Sequence, residues 1–312
     1  MTAPQNVKLE DAPCPLGCPK SDENVLTGRD RLHNLPGEFT VVKCRSCGLM
    51  RTNPRPTPDT IGFYYPNDYG PYQGTEVTVA KTATGFKQWL RSFLRLDSKG
   101  IPRIAAGNLL EIGCATGTYM EQMRREGWGV EGIEFSHSAA KFARKKGLAV
   151  QVATVESAQA PTQPVDVIAA WMVLEHLHEP VNALRKLLTW VKPNGYLIAS
   201  VPDAGSVLHQ PFAEKRYDLH LPNHLYHFTP STIAQVLDKA GWRLTRIFWQ
   251  RNCNTLLMSS EYLARDNGWT RVEHGVKWLR TAKKAGKLRI LLGWILGVTR
   301  QSGRMEIWAK PK

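Results

Sequence analysis

The chain has 312 residues, 42% of them hydrophobic, enough for a full core in one large domain with extensions or in about two domains. Its net charge is +14, yet residues 271–312 hold eleven Lys or Arg against two Glu, so the excess is concentrated in one segment. This points to an insertion or tail with its own task and makes a basic nucleic-acid groove across the whole fold the less favoured reading. The start, MTAPQNVKLEDAP, has no basic region followed by an apolar run, and no apolar run approaches the about 20 residues that span a bilayer. A cytoplasmic protein is therefore expected, in which thiols stay reduced and cysteine pairs suggest metal.

Such pairs come first along the chain. Three residues separate Cys14 from Cys18, two separate Cys44 from Cys47, and twenty-five lie between the pairs. Two thiolate hairpins can complete a tetrahedral Zn²⁺ site, and a unit with so few apolar residues needs such a staple. Four cysteine ligands leave no position for an activated water, so the zinc is expected to be structural. Gly48 suits the turn after Cys47, whereas the first pair departs from the usual two-residue spacing. Unrelated reduced cysteines are the alternative.

Residues 53–74 are rich in Pro, Gly and Tyr and read as a connector. Its Phe63, Tyr64, Tyr65, Tyr69 and Tyr72 could line a substrate mouth or simply pack the connector onto the main domain. Phe86 to Leu96 follows with helical amphipathic spacing.

The most informative stretch is Asn108 to Glu134, NLLEIGCATGTYMEQMRREGWGVEGIE. Leu109, Leu110 and Ile112 read as a buried strand, Gly113 and Gly117 as a tight turn, and Thr118 to Glu126 as a helix. A second strand, Gly129 to Ile133, ends on Glu134, placing a carboxylate at the strand edge where open parallel sheets bind nucleosides. The dinucleotide pattern Gly-x-Gly-x-x-Gly fails at Ala115 and Thr118. Further units follow: a helix Ala139 to Lys146, strands Leu148 to Val152 and Val165 to Trp171, a helix Val181 to Val191, and a fifth strand Tyr196 to Val201 behind a Pro-Asn-Gly turn. This alternation indicates an α/β, doubly wound, mostly parallel sheet. Thr229 to Ala240 reads as a helix, Arg243 to Trp249 as a sixth strand, and Arg304 to Ala309 as one more.

The pattern acid-x-Gly-x-x-x-Gly at Glu111, Gly113 and Gly117, followed by DVIAAWMVLEHLHEP and VKPNGYLIASVP, resembles the class I S-adenosylmethionine-dependent methyltransferases. Ala115 replaces the middle glycine often written for that family. The stretch YDLHLPNHLYHFTPSTIAQVLDKAGW is similar to one in the family's zinc-ribbon-bearing members, many of which resemble enzymes of glycan and small-metabolite biosynthesis. The likeness covers Cys14 to about Gly70 and Asn108 to about Gln250. It implies a Rossmann-like seven-stranded sheet whose last strand is antiparallel and inserted beside the sixth. It also implies S-adenosyl-L-methionine as cofactor, with Glu134 on the ribose hydroxyls. Glu111, Gly113, Ala115 and Gly117 would then lie around the methionine moiety, Val155 and Glu156 near the adenine, and Met172 beside the sulfonium. Val155 and Met172 would equally serve as packing residues.

Two histidine groups offer a base: His176 and His178 in LEHLHEP, and His220, His224 and His227 in HLPNHLYHF. His224 is the leading candidate, with His176 competing for the role or orienting the substrate. Metal binding by the three clustered histidines is the rival reading. The expected activity is methyl transfer to a small-molecule or saccharide acceptor, on oxygen. An RNA methyltransferase or a non-catalytic cofactor-binding scaffold is the alternative, although no Asn-Pro-Pro-Tyr-like motif stands at the fourth strand. The expected division is 1–52 zinc-ribbon-like, 53–85 connector, 86–250 core, 251–303 basic amphipathic insertion and 304–312 final strand and tail. Within the insertion Lys277, Arg280, Lys283, Lys284 and Lys287 gather on one side of a helical projection, against Trp278, Ala282, Ala285 and Leu292. Such a segment suits peripheral association with an anionic membrane surface at its inner face.

Overall fold

The computed structural model describes residues 4–66, 100–102 and 104–312. Tyr69, Tyr72 and the helix expected over Phe86–Leu96 lie outside the described residues.

The chain opens with β1 (Leu9–Glu10), β2 (Asp22–Gly28), β3 (Phe39–Cys44), β4 (Met50–Thr52) and β5 (Arg55–Pro56). β2, β3 and β4 form an antiparallel meander, and β1 pairs with β5. The core follows as β6 (Asn108–Ile112), α1 (Thr118–Arg125), β7 (Gly129–Glu134), α2 (His137–Lys145), β8 (Ala149–Val152), β9 (Val165–Trp171), α3 (Pro180–Leu188) and β10 (Val191–Pro202). Then come β11 (Tyr226–His227), α4 (Pro230–Lys239), β12 (Trp242–Trp249), the helices α5 (Asn254–Asp266), α6 (Thr270–Thr281) and α7 (Gly286–Val298), and finally β13 (Arg304–Pro311).

Seven strands make one sheet in the order β12-β13-β10-β9-β6-β7-β8. The pairs β10–β9, β9–β6, β6–β7 and β7–β8 are parallel, while β13 runs antiparallel to both β10 and β12. This is the expected Rossmann-like arrangement with its inverted last strand. Its central strands are apolar on both faces, as helix-covered parallel strands must be. Leu110, Ile112, Ile168, Leu197, Ala199 and Ile307 pack on one side with Leu184, Ile233 and Trp242. Alternate residues Leu109, Val167, Ala169 and Ile198 meet Tyr119, Met123 and Trp128 on the other.

Helix starts follow local chemistry. The Ser136 side chain accepts from Ala139 N at α2, and Thr229 with Thr232 forms a capping box ahead of Pro230 at α4. The fifth strand begins earlier than expected: β10 already pairs at Val191, and the Pro-Asn-Gly turn is a register shift within it. α3 accordingly ends at Leu188.

Two features are not visible in linear order. β11 pairs antiparallel with β4, so the cysteine-bearing meander, a sheet separate from the seven-stranded one, takes its fourth strand from the segment between β10 and α4. The single basic helix projected over Lys277–Leu292 is instead two helices, α6 and α7. Ala282 is extended (φ −67°, ψ 132°), and the Arg289 guanidinium caps the broken end by donating to Leu279 O and Ala282 O at 2.8 Å each.

Candidate functional site

The turn after β6 is built from left-handed residues: Gly113 (φ 66°), Ala115 (φ 46°) and Gly117 (φ 74°). Glu134, at the end of β7 and 3% exposed, ties that turn down. Its Oε2 accepts from Ala115 N and its Oε1 from Ser136 N, both at 2.8 Å. Burial raises the Glu134 carboxyl, against the lowering effect of those backbone N–H groups. Each oxygen retains acceptor capacity for a ribose hydroxyl. Gly113 also lies against the next strand's exit, since a Cβ there would stand 2.7 Å from Val173 Cγ2.

Gly117 also has a packing reason to be glycine. A Cβ there would meet Leu148 Cδ1 at 2.4 Å and Ala143 Cβ at 3.0 Å, so its missing side chain admits α2 and the segment leading into β8. Glu111 is buried on β6. Val155 belongs to the main apolar core, while Glu156 is exposed and its carbonyl accepts from Lys186 Nζ at 2.7 Å. Met172 is half-buried with φ 58°. Positive φ in a non-glycine residue costs about 1–3 kcal/mol and gathers where geometry serves a ligand. Ala115, Met172 and His220 (φ 36°) are three of the six such residues among those described.

The histidines divide into two sets. His178 donates Nε2–H to Pro56 O at 3.0 Å, and His227 Nε2 lies 3.2 Å from Thr52 Oγ1, whose own proton goes to His224 O at 2.7 Å. His178 therefore fastens β5, and His227 the meander strand β4, to the core. His176 and His224 face each other with ring centroids 4.7 Å apart, and His220 stands 4.9 Å from His224. His224 Nδ1 lies 2.7 Å from Asp218 O and His176 Nδ1 2.9 Å from Asn223 O. A carbonyl only accepts, so both Nδ1 atoms carry protons and both Nε2 atoms are left basic. Burial holds His224 well below the ordinary imidazole range and lowers His176 to about 3. Both are neutral at physiological pH.

Three residues of this site escaped the sequence reading. Glu175 is fully buried, its two carboxylate oxygens have no hydrogen-bond partner among the described residues, and its Oε1 lies 4.0 Å from His224 Nε2. Burial raises its carboxyl to about 8. Its position inside LEHLHEP, beside a candidate base, was the available signal. One donor atom from each of Glu175, His176 and His224 lies within 4.8 Å of the others, a spacing that can share a proton or hold a divalent cation. Asn223 orients His176 through its carbonyl and donates Nδ2 to Tyr64 O at 2.7 Å. Tyr65, named only as one aromatic of five, places its hydroxyl 2.8 Å from His176 Nδ1 and its ring edge-on to Phe135 at 5.4 Å. Its neighbour Tyr64 is core, 1% exposed and donating to Pro36 O. The path Glu134–Phe135–Tyr65–His176 thus joins the glycine turn to the histidines.

Away from this site, Cys14, Cys18, Cys44 and Cys47 place their four Sγ atoms within 4.8 Å of one another, with Cys14 and Cys47 at 3.6 Å. Metal–sulfur bonds of about 2.3 Å in a tetrahedron put sulfurs about 3.8 Å apart, so the donor set fits Zn²⁺. Gly17 and Gly48, both left-handed, close the two knuckles by donating to Cys14 O and Cys44 O.

A strand-edge acid, a left-handed glycine turn and an inverted seventh strand define a nucleoside-binding doubly wound domain. The model of the methyltransferase domain family matches residues 83–247, just over half of the chain. The chain belongs to that family. It is similar to the ubiquinone biosynthesis O-methyltransferase of Acinetobacter baylyi, at 28% identity over 155 residues, 45% of this chain and 65% of the relative. It is also similar to that of Serratia proteamaculans, at 37% identity over 99 residues, 30% and 41% of the two chains. Less than two thirds of either relative is thus spanned. Among solved structures, a SAM-dependent methyltransferase from Archaeoglobus fulgidus aligns with TM-score 0.44 and 20% identity, over 72% of this chain and 92% of the other.

Proposed function

We propose that this chain methylates an oxygen of a small-molecule or saccharide acceptor with S-adenosylmethionine, and that the four cysteines hold a structural zinc ion. The observation that carries the reading is the pair of neutral, Nε2-basic imidazoles, His176 and His224, joined through Tyr65 and Phe135 to the turn held by Glu134. An oxygen acceptor agrees with the names of the O-methyltransferase relatives.

The cofactor supplies an electrophilic methyl group on a sulfonium. Glu134 would accept from the ribose hydroxyls, and the left-handed turn from Gly113 to Gly117, with Glu111 and Met172, would hold the methionine moiety. Val155 and Glu156 would lie toward the adenine. His224 Nε2 would take the hydroxyl proton that the acceptor oxygen loses on gaining a methyl group. The Nδ1–H bond to Asp218 O fixes the tautomer that permits this. His176, fixed by Asn223 and Tyr65, orients the acceptor.

Labelled methyl transfer from S-adenosylmethionine to fractionated extract tests the function. The expected product is small and nuclease-resistant. A nuclease-sensitive product would establish an RNA acceptor, and cofactor binding without turnover would establish a scaffold. The division at 52, 85, 250 and 303 is proposed as functional regions, with zinc site, connector, catalytic core and insertion in that order.

A further inference from the structure

The insertion presents its apolar side outward. In α7 the protein-facing side is made of Leu292, Leu296 and two glycines: a Cβ on Gly293 would stand 2.8 Å from Arg251 O, and one on Gly297 2.8 Å from Arg251 Cγ. Glycine lets the helix lie directly on the chain leaving β12. The opposite side carries Leu288, Ile290, Leu291, Trp294, Ile295 and Val298, each between 38% and 54% exposed. α6 contains no buried residue and exposes Val272 and Trp278. Nine of the seventeen exposed large hydrophobics among the described residues fall in residues 269–298, so they form a patch and are not scattered.

The acidic residue of α6, Glu273, is paired with Arg265 at 2.9 Å, and the lysines beside the patch are unpaired among the described residues. Lys277, Lys283, Lys284 and Lys287 are exposed and make no ion pair among the described residues. Arg280 and Arg289 have structural tasks, the former donating to Glu261 Oε2 at 3.0 Å and the latter capping α6. A second copy docked on this face would bring the lysines of both copies together, which like-charge repulsion opposes. No helix of the described residues is long and apolar enough to cross a membrane. A short helix with an aliphatic and tryptophan face, edged by lysines, matches the chemistry of an anionic lipid surface, where each basic residue contributes about 1 kcal/mol.

We infer that α6 and α7 dock this protein on an anionic membrane, with the Leu288–Val298 face in the headgroup layer and Lys277, Lys283, Lys284 and Lys287 on the phosphates. The inference rests on the insertion alone and stands whether or not the methyl-transfer reading holds.

The full chain is cosedimented with phosphatidylcholine vesicles and with mixed phosphatidylcholine–phosphatidylglycerol vesicles. Partitioning at least about tenfold stronger to the anionic vesicles is expected, weakening as salt rises. Two variants of exposed residues, Leu291→Glu with Ile295→Glu and Lys283→Glu with Lys284→Glu and Lys287→Glu, should each lose about tenfold or more while melting like the parent. Equal recovery with neutral vesicles, or full binding by either variant, overturns the inference. So does a concentration-dependent dimer that Ile295→Glu dissociates and that fails to bind vesicles, since the face would then belong to a second copy.

Discussion

Glu134 has two duties, and substitutions separate them. Glu134→Ala removes the proposed ribose acceptor and also frees Ala115 N and Ser136 N, so calorimetry should show cofactor affinity lowered by about 3 kcal/mol or more, from two charge-assisted bonds. Glu134→Gln keeps an acceptor and should lose less; unchanged affinity in both variants would remove Glu134 from the cofactor site. For the base, His224→Ala should lower kcat by about 10²–10⁴-fold with cofactor affinity held. Equal loss of turnover and affinity would instead mark His224 as structural. His176→Ala is the competing variant, expected to raise the acceptor KM more than it lowers kcat.

The buried titrating groups also set the pH response of stability. Burial lowers His176 to about 3 and both His220 and His227 to about 4. Below about pH 6.5 the unfolded chain takes up protons at these rings that the folded chain refuses, so each costs about 1.4 kcal/mol per pH unit as pH falls. Glu175 acts in the opposite sense. The unfolded carboxyl ionises near 4.5 while the folded one keeps its proton to about 8, so its penalty grows as pH rises between those values. Thermal unfolding should therefore show Glu175→Gln gaining stability over the parent from pH 5 to pH 8. A loss across that range would reveal a cation held by the carboxylate, and elemental analysis would then find more than one metal per chain.

Among elements, the glycine turn and the meander have distinct sensitivities. Gly117→Val places atoms against Leu148 and Ala143 at a left-handed φ, so it should destabilise the fold by about 1–3 kcal/mol or more and weaken cofactor binding with it. Cys44→Ser should remove the one zinc expected per chain and lower the melting temperature, because metal affinity is part of the folding free energy. Full zinc with an unchanged melting curve would exclude the site.

Most of the sheet was legible because its signals are local: apolar runs such as Leu109–Ile112 and Val165–Trp171, glycine turns and helix caps. Even the antiparallel last strand showed as the alternation Arg304–Ala309. What stayed hidden was set by distant pairing. Nothing near Tyr226 and His227 announces that they complete the meander of Met50–Thr52, and nothing in Tyr64–Tyr65 says which ring is core. The outward apolar face of α7 was hidden for the same reason. A helical projection shows where apolar residues gather, but the inward side was decided by glycines meeting the Arg251 backbone.

For the molecule as a whole, the insertion does not merely hang from β12 and β13. Its Gln301 Oε1 accepts from Ser206 Oγ and Leu208 N, its Ser259 Oγ from Tyr217 N, and its Asp266 pairs with Arg31 of the meander at 2.9 Å. The segment it grips, Ser206 to Tyr217, leads directly into Asp218 and His224. The carbonyl that fixes the His224 tautomer, that of Asp218, thus follows directly on a residue, Tyr217, that α5 holds through Ser259. If the inferred docking of α6 and α7 changes acceptor affinity, thermodynamic linkage requires the effect to be mutual: the factor that attachment contributes to acceptor affinity is the factor that the acceptor returns to attachment. On that condition the supply of acceptor alone would hold more of the protein at the surface, with no change in the lipid.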